Sequence, residues 1–206
     1  SLLSELFADS MGCAKYSWHE VQIMDFHRRV GYGDLWIDED SRYYLGEEPF
    51  TGTYEQHYTC NGVMSSEEEF VDGYPEGWDR KWYENGQLKL EVYSHKACFT
   101  EGYLREWHEN GQPKRVAYAE NGKTLESRTW DEAGNLTILF SDKEGCLREW
   151  YENGQPCRVG YSENGMPVEE KYWDKAGNLT SHFIVPGRSS VIPDSPFQNA
   201  KRPDNV

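Results

Sequence analysis

Apolar and polar residues alternate along most of the chain, and glycine-containing turns interrupt the alternation at short intervals. The segments 78–82 and 103–107 place an aromatic residue, an arginine and a tryptophan on every second position, which is the period of a β-strand with two different faces. The dipeptide Asn-Gly, the strongest short-range signal of a β-hairpin, recurs between these segments. It occurs at Asn61, Asn85, Asn110, Asn121, Asn153 and Asn164. We therefore predict consecutive hairpins with type I′ turns at these six sites.

The hairpins belong to an internal repeat. Residues 104–137 align without a gap with residues 147–180, and 23 of the 34 aligned positions are identical. Upstream, a shorter period of 25 residues relates Gly52, Gly77 and Gly102. A fixed period of this length indicates one supersecondary unit per repeat, stacked against its neighbours.

The turns predict a strand register. If Asn85 and Gly86 are the two turn residues, Trp78 lies opposite Tyr93, and two further pairs follow in this hairpin and five in the later ones. These are Arg80 with Glu91, Trp82 with Lys89, Trp107 with Lys114, Glu106 with Arg115, Tyr103 with Tyr118, Glu149 with Arg158, and Cys146 with Tyr161. Stacking the units aligns Trp82, Trp107 and Trp150 in a column beside Arg80, Arg105 and Arg148. Such a column is either the packed face of the sheet, with arginine lying on indole, or a groove for a peptide or a partner loop.

A recurrent pattern carries a family resemblance. The tetrapeptide Pro-Phe-Thr-Gly at 49–52 precedes three copies of G-x-x-x-x-W-Y/H-E-N-G-Q, at residues 77–87, 102–112 and 145–155. The pattern resembles the variant MORN repeat, and in particular the YwqK-type bacterial antitoxin or immunity proteins. The resemblance implies an all-β fold, an elongated antiparallel β-meander of tandem hairpins. It also implies a protein that neutralises a toxin by binding it, with no catalysis of its own.

The two ends of the chain differ from this pattern. Leucine and phenylalanine at helical spacing in residues 1–12 predict a short amphipathic helix that covers the first sheet edge. The proline-rich residues 185–206 predict an irregular tail. We expect three parts: an N-terminal cap at 1–30, the MORN-like hairpin domain at 31–184, and the tail.

The charge distribution is strongly uneven. The chain holds 36 acidic and 21 basic side chains, a formal net charge of −15, so it is repelled by nucleic acid and by anionic bilayers. Between Asp34 and Glu76 there are twelve acids and one base. This acidic segment is either a solvated face that keeps the sheet soluble or a surface complementary to a basic partner, such as a nucleic-acid-targeting toxin.

Signatures of catalysis and of metal binding are missing from the sequence. There is no glycine-rich phosphate loop, nucleophile elbow or H-E-x-x-H motif, and the six histidines show no ligand spacing. Asp38, Glu39 and Asp40 cluster the oxygen ligands that calcium prefers, but the glycine-containing loop that such calcium sites use does not follow them. We expect no enzyme activity, no cofactor and no resident metal. The five widely spaced cysteines form no disulfide framework and favour a cytoplasmic location.

We therefore predict an antitoxin or immunity protein, a monomer or homodimer, that sequesters a cognate protein toxin. The alternatives are a MORN-type scaffold that binds proteins or lipids and, from the aromatic column, a carbohydrate-binding β-repeat. Interfaces favour exposed aromatic and arginine side chains. The candidate partner-binding residues are Asp34, Trp36, Asp38, Glu39, Asp40, Glu47, Glu48, Glu67, Glu68, Glu69, Asp72, Arg80, Trp82, Arg105 and Trp107.

Overall fold

The computed structural model describes residues 28–94 and 102–192, which form sixteen β-strands in two sheets. The strands are β1 (Arg29–Val30), β2 (Trp36–Ile37), β3 (Tyr43–Leu45), β4 (Glu48–Pro49), β5 (Gly52–His57), β6 (Met64–Val71), β7 (Tyr74–Trp82), β8 (Leu88–Ser94), β9 (Gly102–Trp107), β10 (Pro113–Glu120), β11 (Lys123–Trp130), β12 (Leu136–Ser141), β13 (Cys146–Trp150), β14 (Pro156–Glu163), β15 (Met166–Trp173) and β16 (Leu179–Ile184). The helix predicted over residues 1–12 lies outside the described residues.

The main sheet contains thirteen strands and confirms the predicted meander. Its order is β1, then β5 to β16 in sequence, and each strand from β5 onward pairs antiparallel with the next. Only β1, at the edge, pairs in parallel. Sequential antiparallel pairing follows from the short turns, because a parallel connection needs a crossover of about a dozen residues or more.

Strands β2, β3 and β4 form a separate small sheet within the expected repeat domain. Hydrogen bonds attach it to the turn between β6 and β7: the Tyr43 amide donates to the carbonyl of Gly73, whose amide donates to the carbonyl of Phe50. The ring of Phe70 lies 4.8 Å from that of Tyr43 and 5.8 Å from that of Phe50. Phe50 and Phe70 are fully buried, so this aromatic cluster fixes the small sheet against the main one.

The predicted type I′ turns occur at two of the six Asn-Gly sites. Asn121 and Asn164 have φ values of 50° and 51°, and the glycines after them are also left-handed, as a type I′ turn requires. The prediction is wrong at Asn61, Asn85, Asn110 and Asn153, where only the glycine has a positive φ.

A side-chain hydrogen bond explains this difference. The side-chain oxygen Oδ1 of Asn85 accepts from the backbone amide of Gln87 at 2.9 Å, which holds the asparagine within a longer turn closed between Tyr83 and Gln87. Asn61, Asn110 and Asn153 make the same bond to the residue two positions later. The longer turn also shifts the register beside it. Trp82 therefore pairs with Leu88 rather than Lys89, and Trp107 with Pro113 rather than Lys114.

The other predicted pairs are confirmed because they lie beyond this bulge. They are Arg80 with Glu91, Trp78 with Tyr93, Glu106 with Arg115, Tyr103 with Tyr118, Glu149 with Arg158, and Cys146 with Tyr161. The tryptophan column is also present, and it includes two tryptophans not counted in the prediction. Trp82, Trp107, Trp130, Trp150 and Trp173 pair in turn with Leu88, Pro113, Leu136, Pro156 and Leu179.

Successive turns at this end of the hairpins are joined by side chains. The Tyr83 hydroxyl donates to the backbone carbonyl of Trp107 at 2.9 Å. The side-chain amide of Asn85 donates to the backbone carbonyl of Glu109 at 3.0 Å. The same two contacts link three other pairs of turns. The side chains that reach the following turn in these pairs are those of Tyr58 and Asn61, of His108 and Asn110, and of Tyr151 and Asn153. We call this series of contacts the turn ladder. It explains why the repeat keeps an aromatic-Glu-Asn-Gly turn: the aromatic and the asparagine both bind the following unit.

We expect Tyr83→Phe to lower the free energy of unfolding by about 1 kcal/mol, because it removes one hydrogen bond of the turn ladder and leaves the ring in place. Tyr32→Phe is the matched control, since Tyr32 is 89% exposed, and we expect it to have no effect. Urea unfolding of both variants measures the difference. Equal stability of Tyr83→Phe and the unsubstituted protein would contradict a stabilising role for the ladder.

The residues after β16 cap the last hairpins. Ile192 packs with Val159 and Trp173 in a buried cluster, and its carbonyl accepts from the ammonium of Lys171 at 2.6 Å. The predicted irregular tail is therefore irregular but packed as far as residue 192. We call residues 185–192 the C-terminal cap.

Candidate partner-binding surface

A row of charged side chains crosses the first half of the main sheet. The register places Glu55, Glu67, Arg80, Glu91 and Arg105 directly opposite one another on β5 to β9, so they share one face. Arg80 bridges Glu67 at 2.6 Å and Glu91 at 3.0 Å, and Glu91 also contacts Arg105 at 3.1 Å. At the edge of the sheet, Arg29 pairs with Glu55.

Several predicted site residues are part of this network. Burial lowers the pKa of Arg80, but the bonds to Glu67 and Glu91 outweigh it and raise the pKa above the ordinary value. Arg80 and Arg105 thus share the carboxylate of Glu91, and Glu67 pairs with Arg80. None of these three predicted residues presents a free charge. The guanidinium of Arg80 also lies over the ring of Trp78, at 5.0 Å, which is an arginine-on-indole contact with a tryptophan of the same strand that lies outside the predicted column.

Four other predicted residues are also engaged within the sheet. Trp82 and Trp107 are half-buried, and their carbonyls are acceptors of the turn ladder. Burial raises the pKa of Glu69, whose carboxylate accepts from the amide of Trp78 at 2.9 Å. Burial, with a contribution from Asp79, likewise raises the pKa of Glu68.

Asp72 lies in the turn between β6 and β7, where it holds the one base of the acidic segment. Its carboxylate contacts the Arg42 guanidinium at 2.5 Å, and its carbonyl accepts a second hydrogen bond from the same side chain. Arg42 is therefore paired across the two sheets.

The remaining predicted residues come together on the small sheet. Trp36 stacks on Tyr44 with ring centroids 4.5 Å apart and an interplanar angle of 12°. Its indole nitrogen donates to the carbonyl of Gly46 at 2.6 Å. The ring is thus held in one orientation while Trp36 stays 50% exposed. Ile37 beside it is 52% exposed, so a rigid apolar centre faces outward.

Carboxylates belong to the same small unit as this centre. Glu39, Asp40, Glu47 and Glu48 are exposed in the turns and strand ends of the small sheet. Asp34 and Asp38 instead stabilise turns: Asp34 accepts from the amide of Gly31 at 2.8 Å, and Asp38 accepts from the amides of Asp40 and Arg42. The amide of Arg42 makes the largest contribution to lowering the pKa of Asp38. We call residues 32–48 the acidic head.

Sequence reasoning missed two exposed apolar residues of the acidic head, Tyr32 and Ile37. Tyr32 lies in a turn and Ile37 in a strand of two residues, so neither contributes to a periodic signal. The proposed calcium run at 38–40 also has a local explanation, because the Asp38 carboxylate caps its own turn. Over residues 28–94 and 102–192, no group of three or more histidine, cysteine, aspartate or glutamate side chains is arranged to hold a metal ion.

No helix in the part of the chain that the structure describes is long and apolar enough to cross a membrane.

The chain has no match among curated protein sequences. Two of its segments, residues 80–96 and 143–164, match the model of the MORN repeat variant. Both segments contain a strand, the aromatic-Glu-Asn-Gly turn and the returning strand of one hairpin. The hairpin sheet therefore carries repeats of the MORN variant type.

Proposed function

We propose that the protein is a binding module that neutralises a cationic protein toxin by covering it with the acidic head. The observation that carries this proposal is the exposed, fixed ring of Trp36 within a unit rich in unpaired carboxylates. Interfaces concentrate binding energy in preorganised aromatic side chains surrounded by polar residues. A tryptophan that is already stacked and hydrogen-bonded loses little conformational entropy when a partner covers it.

Charge supports a basic partner. Residues 34–76 hold twelve acids and one base, and that base, Arg42, is paired with Asp72. Such a surface accelerates encounter with a cationic protein and disfavours acidic ones. A toxin that acts on nucleic acid presents a cationic cleft, which an acidic inhibitor can occupy.

The MORN-type repeats favour a second candidate, a module that holds other proteins together without neutralising them. Both candidates use the sheet as a rigid support for a binding surface. They differ in outcome: only the first predicts that growth arrested by a toxin is restored when this chain is co-expressed.

The test is co-expression with the product of the adjacent gene, scored for its effect on growth with and without this chain, together with binding of the two proteins measured at low and high salt. We expect the fourfold variant Glu39→Lys, Asp40→Lys, Glu47→Lys and Glu48→Lys to lower the association rate about tenfold or more. We expect Trp36→Ala to weaken binding by about 2 kcal/mol.

The matched control instead changes four exposed glutamates to lysine in the turns that the ladder joins, at Glu84, Glu109, Glu132 and Glu152. It changes the net charge by the same amount but leaves the acidic head intact, so we expect it to keep most of the association rate. Equal losses in the two variants, or binding that does not depend on salt, would contradict the assignment of the acidic head. Failure to restore growth despite tight binding would favour the scaffold function.

A further inference from the structure

Strand β16 forms an open edge of the main sheet. It is the last strand in the sheet order, and within the described ranges no strand pairs with its outer side. All its residues except Ile184 are exposed, with Leu179 at 46% and Phe183 at 48%. It therefore offers the outward-facing N–H and C=O groups of alternate residues and two apolar side chains for pairing.

This edge lacks three of the usual protections against pairing, and the register shift of the β15–β16 pair lies at the end of the strand, between Tyr172 and Trp173. Natural sheets place lysine, proline or a very short strand at an exposed edge. β16, with the sequence Leu-Thr-Ser-His-Phe-Ile, has neither lysine nor proline. The opposite edge is different, since β1 is only two residues long and carries Arg29, which is paired with Glu55.

The surroundings of β16 are electrically neutral. Residues 156–192 hold four acidic and four basic side chains, in contrast to the acidic segment. Three of the acids are paired locally: Glu170 with Arg158 at 2.6 Å, Glu163 with Arg188 at 2.8 Å, and the buried Glu169 with Lys171. No excess charge remains here to attract a cationic partner or to repel a copy of the same chain.

We propose that two copies of this chain pair antiparallel through β16 and join their main sheets into one. For a chain with a net charge of −15, self-association is favoured where the local charge is zero. The acidic head lies at the other end of the strand order, roughly 50 Å away along the sheet at about 4.8 Å per strand. That distance is several times the screening length of about 8 Å at physiological salt, so the two heads do not repel each other across this interface.

The faces of β16 show which side chains can be changed without disturbing the C-terminal cap. His182 contacts Glu169 at 2.8 Å, so it points to the face that the cap covers. Ser181 and Phe183 alternate with it and point to the other face. A dimer formed along this edge carries one acidic head at each end and is therefore bivalent for a cationic partner.

The test is the mass in solution, measured by light scattering over a dilution series of the full chain. We expect the unsubstituted protein to approach twice 24.0 kDa and Ser181→Lys to shift the dissociation constant by about tenfold or more toward monomer, since edge lysines oppose strand pairing. Gln112→Lys, which adds the same charge in an exposed turn between β9 and β10, is expected to remain dimeric. Phe183→Lys provides a second edge variant if Ser181→Lys does not fold, as judged by circular dichroism.

Three results would overturn this proposal: a monomer at every concentration, a dimer unaffected by both edge variants, or a monomer in which the amides of β16 resist hydrogen exchange. The last would mean that the chain covers its own edge. The proposal is independent of the proposed function, because a folded monomeric variant retains its acidic head. Toxin binding by Ser181→Lys therefore distinguishes failure of the dimer from failure of the binding surface.

Discussion

Glu169→Gln is expected to lower the free energy of unfolding by about 3 kcal/mol, because it removes the buried carboxylate that pairs with the ammonium of Lys171 and binds the C-terminal cap. Both side chains are fully buried on the face covered by the C-terminal cap. The carboxylate accepts from the Ser190 hydroxyl at 2.5 Å and from the amides of Val191 and Ile192 at 2.7 and 3.0 Å. Glutamine has one oxygen for these donors and directs an amide group at the others.

The measurement is urea unfolding, with hydrogen exchange at the amides of Val191 and Ile192 to report opening of the cap. The control is Glu163→Gln, which removes an exposed ion pair to Arg188 of the same cap and is expected to change stability by less than about 1 kcal/mol. The double variant Glu169→Gln with Lys171→Met removes both charges and is expected to recover about 1 kcal/mol or more. A loss of similar size in Glu163→Gln would contradict the role assigned to the buried carboxylate.

The same carboxylate makes the cap sensitive to acid. Burial alone raises the pKa of Glu169, but hydrogen bonds from Ser190, Ile192, Val191 and His182 lower it from 4.5 to about 2. Because the folded-state pKa is depressed, the stabilisation is present above the unfolded value and is lost as the pH falls through about 2. We therefore expect the stability difference between the unsubstituted protein and Glu169→Gln to shrink between pH 5 and pH 2.

The repeating part of the fold could be predicted because its signals are local. Alternating residues, glycine turns and a fixed period specify antiparallel hairpins, and pairs such as Arg80 with Glu91 follow from the turn position alone. The prediction failed beside the turns themselves. Asn85 and Asn121 stand in identical Asn-Gly dipeptides, yet the Asn85 side chain accepts from the Gln87 amide within a longer turn and also donates to Glu109 of the next unit, whereas Asn121 adopts the left-handed conformation of a type I′ turn. The dipeptide alone does not distinguish the two turns.

The candidate site was predictable only in part, for a related reason. The charge count located the acidic segment but could not separate Glu67, which pairs with Arg80, from Glu47, which is exposed. That separation depends on which acids lie opposite arginines in the folded sheet. The small sheet that fixes Trp36 depends on contacts of Tyr43 and Phe50 with the turn after β6, more than twenty residues away, and no local pattern encodes them.

The glycine that begins each G-x-x-x-x-W pattern has a steric reason that Gly145 shows clearly. Gly145 has a φ of 63° and lies beside the start of β13. Its carbonyl accepts from the Ser162 amide at 2.7 Å, and a methyl group added at Gly145 would collide with the carbonyl oxygen of Ser162. The backbone of β14 thus occupies the space that any side chain at this position needs.

Gly145→Ala is therefore expected to lower the free energy of unfolding by about 3 to 4 kcal/mol, since it combines an unfavourable φ with a backbone collision. Gly165→Ala separates the two effects. Gly165 also has a positive φ, of 77°, but no atom lies within 4 Å of the added methyl group, so we expect a loss of only about 1 kcal/mol. Chemical denaturation of both variants gives the comparison. Equal losses would mean that backbone conformation alone requires glycine at Gly145, whereas a larger loss in Gly145→Ala identifies close strand packing as the reason the repeat keeps it.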